Sequence, residues 1–309
     1  LLLLKLFRFW VIEQSFDFSS YDSIILRYPS VADFYARAFI RKYGYKIISE
    51  HHTLINGEFS SFGRFQDRLK IMFENLNNRY YLQNVKGIVG VTNEIIEEQK
   101  KIIKSNKPSF LFSNGGLYQN TKKKNPNNEI SLLFSCGKFT PWSGIDRLLK
   151  SLDAFNSPQK ITIYIIGQLS DIQKEAIEKI KEKNKISIVV TGLLGPGQMK
   201  EYYLKTDACF GTLSLHIKKM KEACPLKTRE ALSYGKPIIY AYNDPDFSGN
   251  EKWNLKLEPN DSMLDFNTIV QFVEDTKKDA ALEAEIKQFF TENISWQSKL
   301  KNLESFCLT

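Results

Sequence analysis

The stretch Glu222-Ala-Cys-Pro-Leu-Lys-Thr-Arg-Glu230 runs on through Ala231-Leu-Ser-Tyr-Gly235-Lys-Pro237-Ile-Ile-Tyr240 and reads as a loop, a short helix and a buried strand. Pro225 suits the first helical position, where its missing N–H costs nothing. Gly235 suits a left-handed stop after the helix, and Pro237 bars continuation. Two carboxylates are thereby set at the mouth and on the first turns of one helix, with seven residues between them. A helix N-terminus carries roughly half a positive charge and several free N–H groups, so it seats an anion. A carboxylate beside that seat grips neutral hydroxyls.

Around this stretch the chain alternates strand and helix. Short apolar runs predict strands at 131–135, 161–166, 186–190, 208–211 and 237–240. Between the first two, Ile145, Leu148, Leu149, Leu152 and Phe155 recur at helical spacing. Glycines at 137, 167 and 192 stand at strand ends, where open parallel sheets take their ligands, and they outline a cleft. A phosphate seat flanked by a grip on hydroxyls describes a nucleotide-sugar site. The tail from Ser295 to Phe306 reads as a helix with no strand beyond it.

The first part of the chain shows the same alternation. Residues 1–19 look helical. Strands are expected at 23–27, 46–49, 87–91 and 109–112, and helices at 31–43, 63–81 and after the cap residue Thr92. Phe65, Leu69, Met72, Phe73, Leu76 and Tyr80 form the apolar stripe of the longest helix. The pattern predicts a parallel, doubly wound sheet in each half. Residues 121–128, Thr-Lys-Lys-Lys-Asn-Pro-Asn-Asn, hold no apolar anchor and read as a linker. The expected organisation is a first domain over 1–120, a linker over 121–129, a second domain over 130–294, and a helix over 295–309 that packs back on the first. A strand and glycine-rich loop would normally open such a first domain. Nothing of the kind precedes Ser23, so that domain is expected to lack its first strand–helix units.

Composition removes several classes of function. The 309 residues, 42% hydrophobic, can bury two cores. No apolar run approaches the roughly 20 residues of a membrane span, and Lys5 and Arg8 interrupt the apolar start. Four widely spaced cysteines and three histidines offer no metal framework and fit a reduced, cytoplasmic compartment. The net charge of +8 suits an anionic partner, a nucleotide or an anionic membrane surface. No basic run is interleaved with aromatics, so nucleic acid is excluded. Asp244-Pro-Asp246 has metal-binding spacing, but its Pro after a strand marks a turn.

Four features, in order, resemble the retaining GT-B glycosyltransferases, specifically glycosyltransferase family 4. They are Ser113-Asn-Gly-Gly-Leu117, Gly137-Lys-Phe-Thr-Pro-Trp-Ser-Gly-Ile-Asp146, the Glu222/Glu230 pair, and Gly235-Lys-Pro237. The resemblance covers most of the chain and is strongest over 130–245. It implies two Rossmann-like parallel-sheet domains facing a cleft, the first serving the acceptor and here short of part of that side, the second binding the nucleotide-sugar. The implied reaction moves a sugar from a nucleoside-diphosphate sugar, UDP- or GDP-linked, to a glycan or lipid-linked acceptor. Surface polysaccharide or glycolipid assembly at the inner membrane face is the implied setting.

The same resemblance distributes roles. Glu230 would hold the ribose hydroxyls, and Glu222 would contact the transferred sugar as a catalytic residue. His52 matches the active-site histidine of the first domain, with the adjacent His51 as the alternative. The backbone at Pro225, Leu226 and Lys227 would line the diphosphate, and Gly192 falls among the donor-binding positions. Lys138 matches a basic position for the diphosphate. Ser143 stands where a second basic residue is common, a departure for which Lys227 could compensate. The implied chemistry is same-face substitution, with the leaving diphosphate helping to deprotonate the acceptor, and needs neither a metal nor a prosthetic group. Two other readings keep this two-sheet plan, a non-catalytic scaffold and a nucleotide-sugar epimerase.

Overall fold

A computed structural model describes residues 7–28, 33–54, 65–120, 129–156, 160–183 and 186–308. The linker expected at 121–128 lies outside them, as do the starts of the helices expected from 1, 31 and 63. The side chains of Phe65, Leu69, Phe73 and Leu76, part of the predicted stripe, also lie outside. The chain divides into two compact units, Leu1–Ser113 with Leu300–Thr309, and Asn114–Lys299.

The first unit is built on four parallel strands paired in chain order, β1 (Ile24–Arg27), β2 (Ile47–His51), β3 (Gly87–Gly90) and β4 (Ser109–Leu111). Helices α1 (Arg8–Ser15), α2 (Ala36–Tyr43), α3 (Phe65–Asn84) and α4 (Asn93–Ile103) accompany them. The core gathers Phe9, Phe39, Ile47, Tyr81, Leu82 and Ile88. Thr92 caps α4 as expected, its Oγ1 accepting from the Ile95 N–H at 3.3 Å. Two helices are shorter than the periodicity predicts, and an aspartate limits each. Asp33 accepts from the Tyr35 N–H at 2.8 Å and holds the backbone in a turn, so α2 starts only at Ala36. After α1, Asp17 accepts from the Ser19 N–H at 3.0 Å and folds residues 18–20 into one tight turn. The last helix, α11 (Trp296–Leu308), ends in this unit. There Phe306 stacks on Phe110 at 5.4 Å, and Lys86 donates to the Cys307 carbonyl at 2.9 Å.

The second unit carries six parallel strands, β5 (Ile130–Lys138), β6 (Ile161–Gln168), β7 (Ile186–Gly192), β8 (Ala208–Phe210), β9 (Ile238–Tyr240) and β10 (Asn254–Lys256). They lie in the order β10-β9-β8-β5-β6-β7. The sixth strand was missed by the sequence expectation because Asn254-Leu-Lys256 is short and half-exposed, with no apolar run. From β5 the chain winds outward to β6 and β7, then returns to β8 and winds the other way. Strand order therefore reverses between β5 and β8, and the crevice at their carboxyl ends is where this topology places a ligand.

Helices α5 (Ile145–Ala154), α6 (Asp171–Lys183), α7 (Pro196–Lys205), α8 (Leu226–Ser233), α9 (Phe266–Lys278) and α10 (Leu282–Phe289) cover the sheet. The core on one side joins Leu132, Phe134, Ile163 and Ile165 to Leu148, Leu152, Ile269 and Val273. Each such side chain contributes about 1.5–3 kcal/mol on burial. Arg147 of α5 is buried and donates to the carbonyls of Leu213 (2.7 Å), Ser262 (2.8 Å) and Glu258 (3.0 Å), fixing two loops at this end of the sheet. Among the described residues no helix is long and apolar enough to cross a membrane.

Candidate active site

The loop before α8 is pinned on both sides. Glu222 forms a parallel bridge with Asn243, in which the Ala223 N–H donates to the Asn243 carbonyl at 3.0 Å and the Asn243 N–H to the Lys221 carbonyl at 2.8 Å. Cys224 is buried, and its Sγ accepts from the Asn114 N–H at 3.0 Å while the Asn114 side-chain amide donates to its carbonyl. Pro225 is not the first helical residue that its type predicted. Its backbone is extended (φ −71°, ψ 137°), and it caps the helix through its carbonyl, which accepts from the N–H groups of Thr228 (3.1 Å) and Arg229 (3.4 Å). That leaves the N–H groups of Leu226 and Lys227 without a hydrogen bond among the described residues. The Leu226 side chain is 61% exposed beside them. At the other end Gly235 has φ +68°, as expected, and a Cβ there would come within 2.5 Å of Glu283 Cγ.

Lys227 and Glu230 occupy one face of α8. The Lys227 Nζ is buried, finds no hydrogen-bond partner among the described residues, and lies 4.6 Å from the centre of the Phe134 ring. Burial pulls this amine down to about 8, opposed only by the Cys136 thiol. One turn along, burial raises the Glu230 carboxyl above its ordinary value, and the Tyr203 hydroxyl works in the opposite direction. Tyr203 is itself buried and stacked on Tyr234 at 4.6 Å. Its hydroxyl sits beside Ser135 and Glu230 with no hydrogen bond closed among the described residues. Phe134, Ser135 and Cys136 all belong to the carboxyl-terminal part of β5, so the lysine and the glutamate converge on the switch point.

The opposite face of α8 is a buried ion network. Arg229, 1% exposed, donates to both Asp244 oxygens (2.7 Å to Oδ1), to Asp246, and to the Asn114 carbonyl at 3.0 Å. Lys299 adds a bond to Asp246 at 2.8 Å. Burial lowers the Arg229 guanidinium, but the Asp244 and Cys224 charges, the hydrogen bonds to Asp244 and the Asp246 charge together outweigh it and hold the group charged. Cys224, Asp244 and Asp246 lie close enough to suggest a cation site, yet the arginine takes up the carboxylates. Asp244-Pro-Asp246 is the turn expected of it, closed from the Phe247 N–H to the Asp244 carbonyl at 3.2 Å.

The loop after β5 behaves differently at its two predicted positions. Lys138 ends the strand, exposed and with its backbone paired to Gln168. Ser143 is buried, and its hydroxyl donates to the Thr140 carbonyl at 2.6 Å, closing a turn. Gly144 follows at φ +84°, where a Cβ would meet the Leu213 Cβ at 2.5 Å. Gly192 ends β7 at φ +74° with open space around it. It lines a groove of about 670 Å³ with Gly167, Gln168, Lys174, Val190 and Leu193, whose lining includes none of the α8 residues.

In the first unit, His51 and His52 separate into two environments. His51 ends β2, stacks on Tyr28 at 4.5 Å and bonds Ser49 Oγ at 2.9 Å, and burial pulls its imidazole down to about 3. His52 is only partly buried, with Nε2 at an ion-pair distance of 3.1 Å from Glu50. Of the two, His52 is the accessible one.

Sequence reasoning missed Arg229 and Tyr203. The pair of aspartates at 244 and 246 was the only signal for the arginine, and nothing in the sequence marked Tyr203.

Solved structures resemble the chain over nearly its whole length. Sucrose-phosphate synthase from Thermosynechococcus elongatus is 16% identical with a TM-score of 0.66, over 93% of this chain and 73% of its own. HepE from Anabaena in complex with UDP-glucose is 16% identical with a TM-score of 0.61, over 96% and 82%. TarM from S. aureus, in complex with fondaparinux, alpha-GlcNAc-glycerol and UDP, is 14% identical with a TM-score of 0.64, over 97% and 58%. The fold is GT-B. Residues 118–252, which contain the Glu222–Glu230 stretch and the loop at Lys138, match the family described as Glycosyl transferases group 1. That domain supports a glycosyltransferase. No curated protein is significantly similar in sequence.

Proposed function

We propose that this chain is a retaining, family-4-type glycosyltransferase that moves a hexosyl unit from a nucleoside-diphosphate sugar to a glycan or lipid-linked acceptor. The observation that carries the reading is the convergence of Glu230, Lys227 and the unpaired N–H groups of α8 on the carboxyl end of β5. An anion seat beside a half-buried carboxylate matches a diphosphate next to ribose hydroxyls. Two proteins of the same fold are described with UDP-glucose and with UDP, which supports the same class of donor.

In this scheme Glu230 accepts from the ribose hydroxyls, and Glu222, fixed through its backbone to Asn243, meets the transferred sugar. The bond from the sugar to the diphosphate breaks as the bond to the acceptor oxygen forms on the same face, and the leaving diphosphate takes the acceptor proton. The protein supplies position and positive potential for the charge on the leaving group. His52 serves the acceptor side. The net charge of +8 suits work against an anionic inner membrane face in polysaccharide or glycolipid assembly.

Isothermal titration with UDP and GDP tests the donor site. One of them should bind, and Glu230→Ala should weaken it by about tenfold to hundredfold, the worth of one or two charge-assisted hydrogen bonds. Binding of neither nucleotide, or an indifferent Glu230→Ala variant, overturns the reading. Loss of transfer in Glu222→Ala with nucleotide binding intact separates an enzyme from a scaffold.

A further inference from the structure

The Lys227 amine has no evident reason to be where it is in the folded chain alone. A lysine on the first turn of a helix ordinarily extends into water. This one folds inward, with Nζ buried, no hydrogen-bond partner among the described residues, and only the face of Phe134 beneath it. A buried ammonium with no acceptor is costly, and such groups in native proteins call for an explanation. The missing partner must be an acceptor, and the surroundings narrow its kind. Two unpaired backbone N–H groups, on Leu226 and on Lys227 itself, open at the same helix end. Three donors and a helix N-terminus, with no opposing carboxylate on the amine, describe a site for an anion with several oxygens.

The loop after β5 supplies the second half of the case. At Ser143 the side chain is uncharged, and its hydroxyl is spent on the Thr140 carbonyl at 2.6 Å. That loop therefore offers only the exposed Lys138 as a basic group near the strand end.

We propose that the Lys227 ammonium is the main charge that receives the diphosphate of the donor, and that nucleotide binding is coupled to the uptake of a proton by this amine. The inference rests on the donor reading above and adds the identity of the clamp and its proton linkage. Cys136 on β5 is the one titratable group whose charge bears on the amine among the described residues. Lys138 lies farther along the same strand at its exposed end. Glu230 is one turn along α8, facing Tyr203 on α7, and Cys209 on β8 is buried near that carboxylate. None of them replaces a ligand oxygen. With the amine at about 8 in the free protein, part of the population is neutral at pH 8.5, and a bound diphosphate draws a proton onto it. Affinity should be full below pH 8 and should weaken as pH rises above it.

The experiment is isothermal titration of the full chain with UDP and GDP from pH 6.5 to 9.5, in pairs of buffers with different ionisation enthalpies. The wild type should take up a large fraction of one proton at pH 8.5 and almost none at pH 6.5. Lys227→Met should bind about tenfold to hundredfold more weakly at pH 7 and lose the uptake, and Lys227→Arg should recover affinity without the proton linkage. If the wild type binds a nucleotide with no proton uptake at pH 8.5, the proposal falls while the donor reading stands, and this holds even where the Met variant does not fold. Binding by Lys227→Met within twofold of wild type has the same meaning. If neither nucleotide binds the wild type at any pH, the donor reading falls and takes this inference with it.

Discussion

Replacing Lys227 with Met should make the nucleotide-free protein more stable. The folded state holds the amine near 8, against 10.5 in the unfolded chain. At about 1.36 kcal/mol per unit, the folded state bears about 3 kcal/mol for keeping the ammonium buried at neutral pH. Met keeps most of the stem and its packing but gives up the contact over Phe134, worth about 0.5–2 kcal/mol. The net gain is roughly 1–2 kcal/mol, which for a unit of this size raises the melting temperature by about 3–7 °C.

The pH dependence gives the effect a signature that ordinary repacking lacks. Below pH 8 the amine is charged in both states and the whole penalty falls on the folded one. Between 8 and 10.5 the folded state releases its proton first, so the penalty shrinks, and above 10.5 it is gone. The advantage of the Met variant should therefore be largest below pH 8 and close towards pH 10.5. Urea or thermal unfolding of both proteins across that range, without nucleotide, measures it. A variant less stable than wild type at pH 7, or one whose advantage is the same at pH 7 and pH 10, would sink the account of Lys227 as an unpaired buried charge.

Other perturbations have directions set by the same geometry. Arg229→Met leaves Asp244 buried without its partner and should cost about 3–5 kcal/mol in chemical denaturation, most of it recovered when Asp244→Asn and Asp246→Asn are added; no recovery would mean that the loss is one of packing. His51 is neutral in the folded state down to about pH 3, so stability should fall as pH drops below 6.5, by about 2 kcal/mol at pH 5. His51→Gln should flatten that acid limb, and an unchanged slope would assign it elsewhere. Titration with Mg²⁺ or Mn²⁺ should show no site at Cys224, Asp244 and Asp246, because Arg229 takes the carboxylates; a stoichiometric site abolished by Asp244→Asn would contradict this.

The alternation of the fold was legible because every strand but one carries apolar residues in a short run bounded by polar or glycine-containing turns. β10 escaped because three residues with Asn and Lys at the ends carry no such run. Pro225 was placed one position late for a specific reason. Its φ is fixed by its ring, and only ψ, here 137°, separates a cap from a first helical residue. Two adjacent histidines at a strand end look alike in the sequence; in the structure β2 ends at the buried His51, and His52 just beyond it is partly exposed. The sequence suggested the Lys227 backbone as a phosphate lining but gave no sign of its buried amine, because an inward lysine depends on Phe134, more than ninety residues away in the chain.

Helix α8 brings these observations to one point. Residues three apart share a helix face and residues two apart lie roughly 200° around it, so Lys227 and Glu230 look one way and Arg229 the other. The first face meets the end of β5 and holds polar groups that lack partners or sit in the wrong dielectric. The second is bonded at all three guanidinium nitrogens of Arg229, to Asp244, Asp246 and Asn114. A short helix carrying unsatisfied charge on one side would rotate or fray to hydrate it unless something stiffer held the other. The Arg229 network has that effect. The orientation of Lys227 and Glu230 is therefore set from the back of the helix, which makes Arg229 a positioning residue for any anion bound in front. A chain in which Arg229, Asp244 and Asp246 are all made neutral should then recover its stability while still binding nucleotide more weakly than wild type.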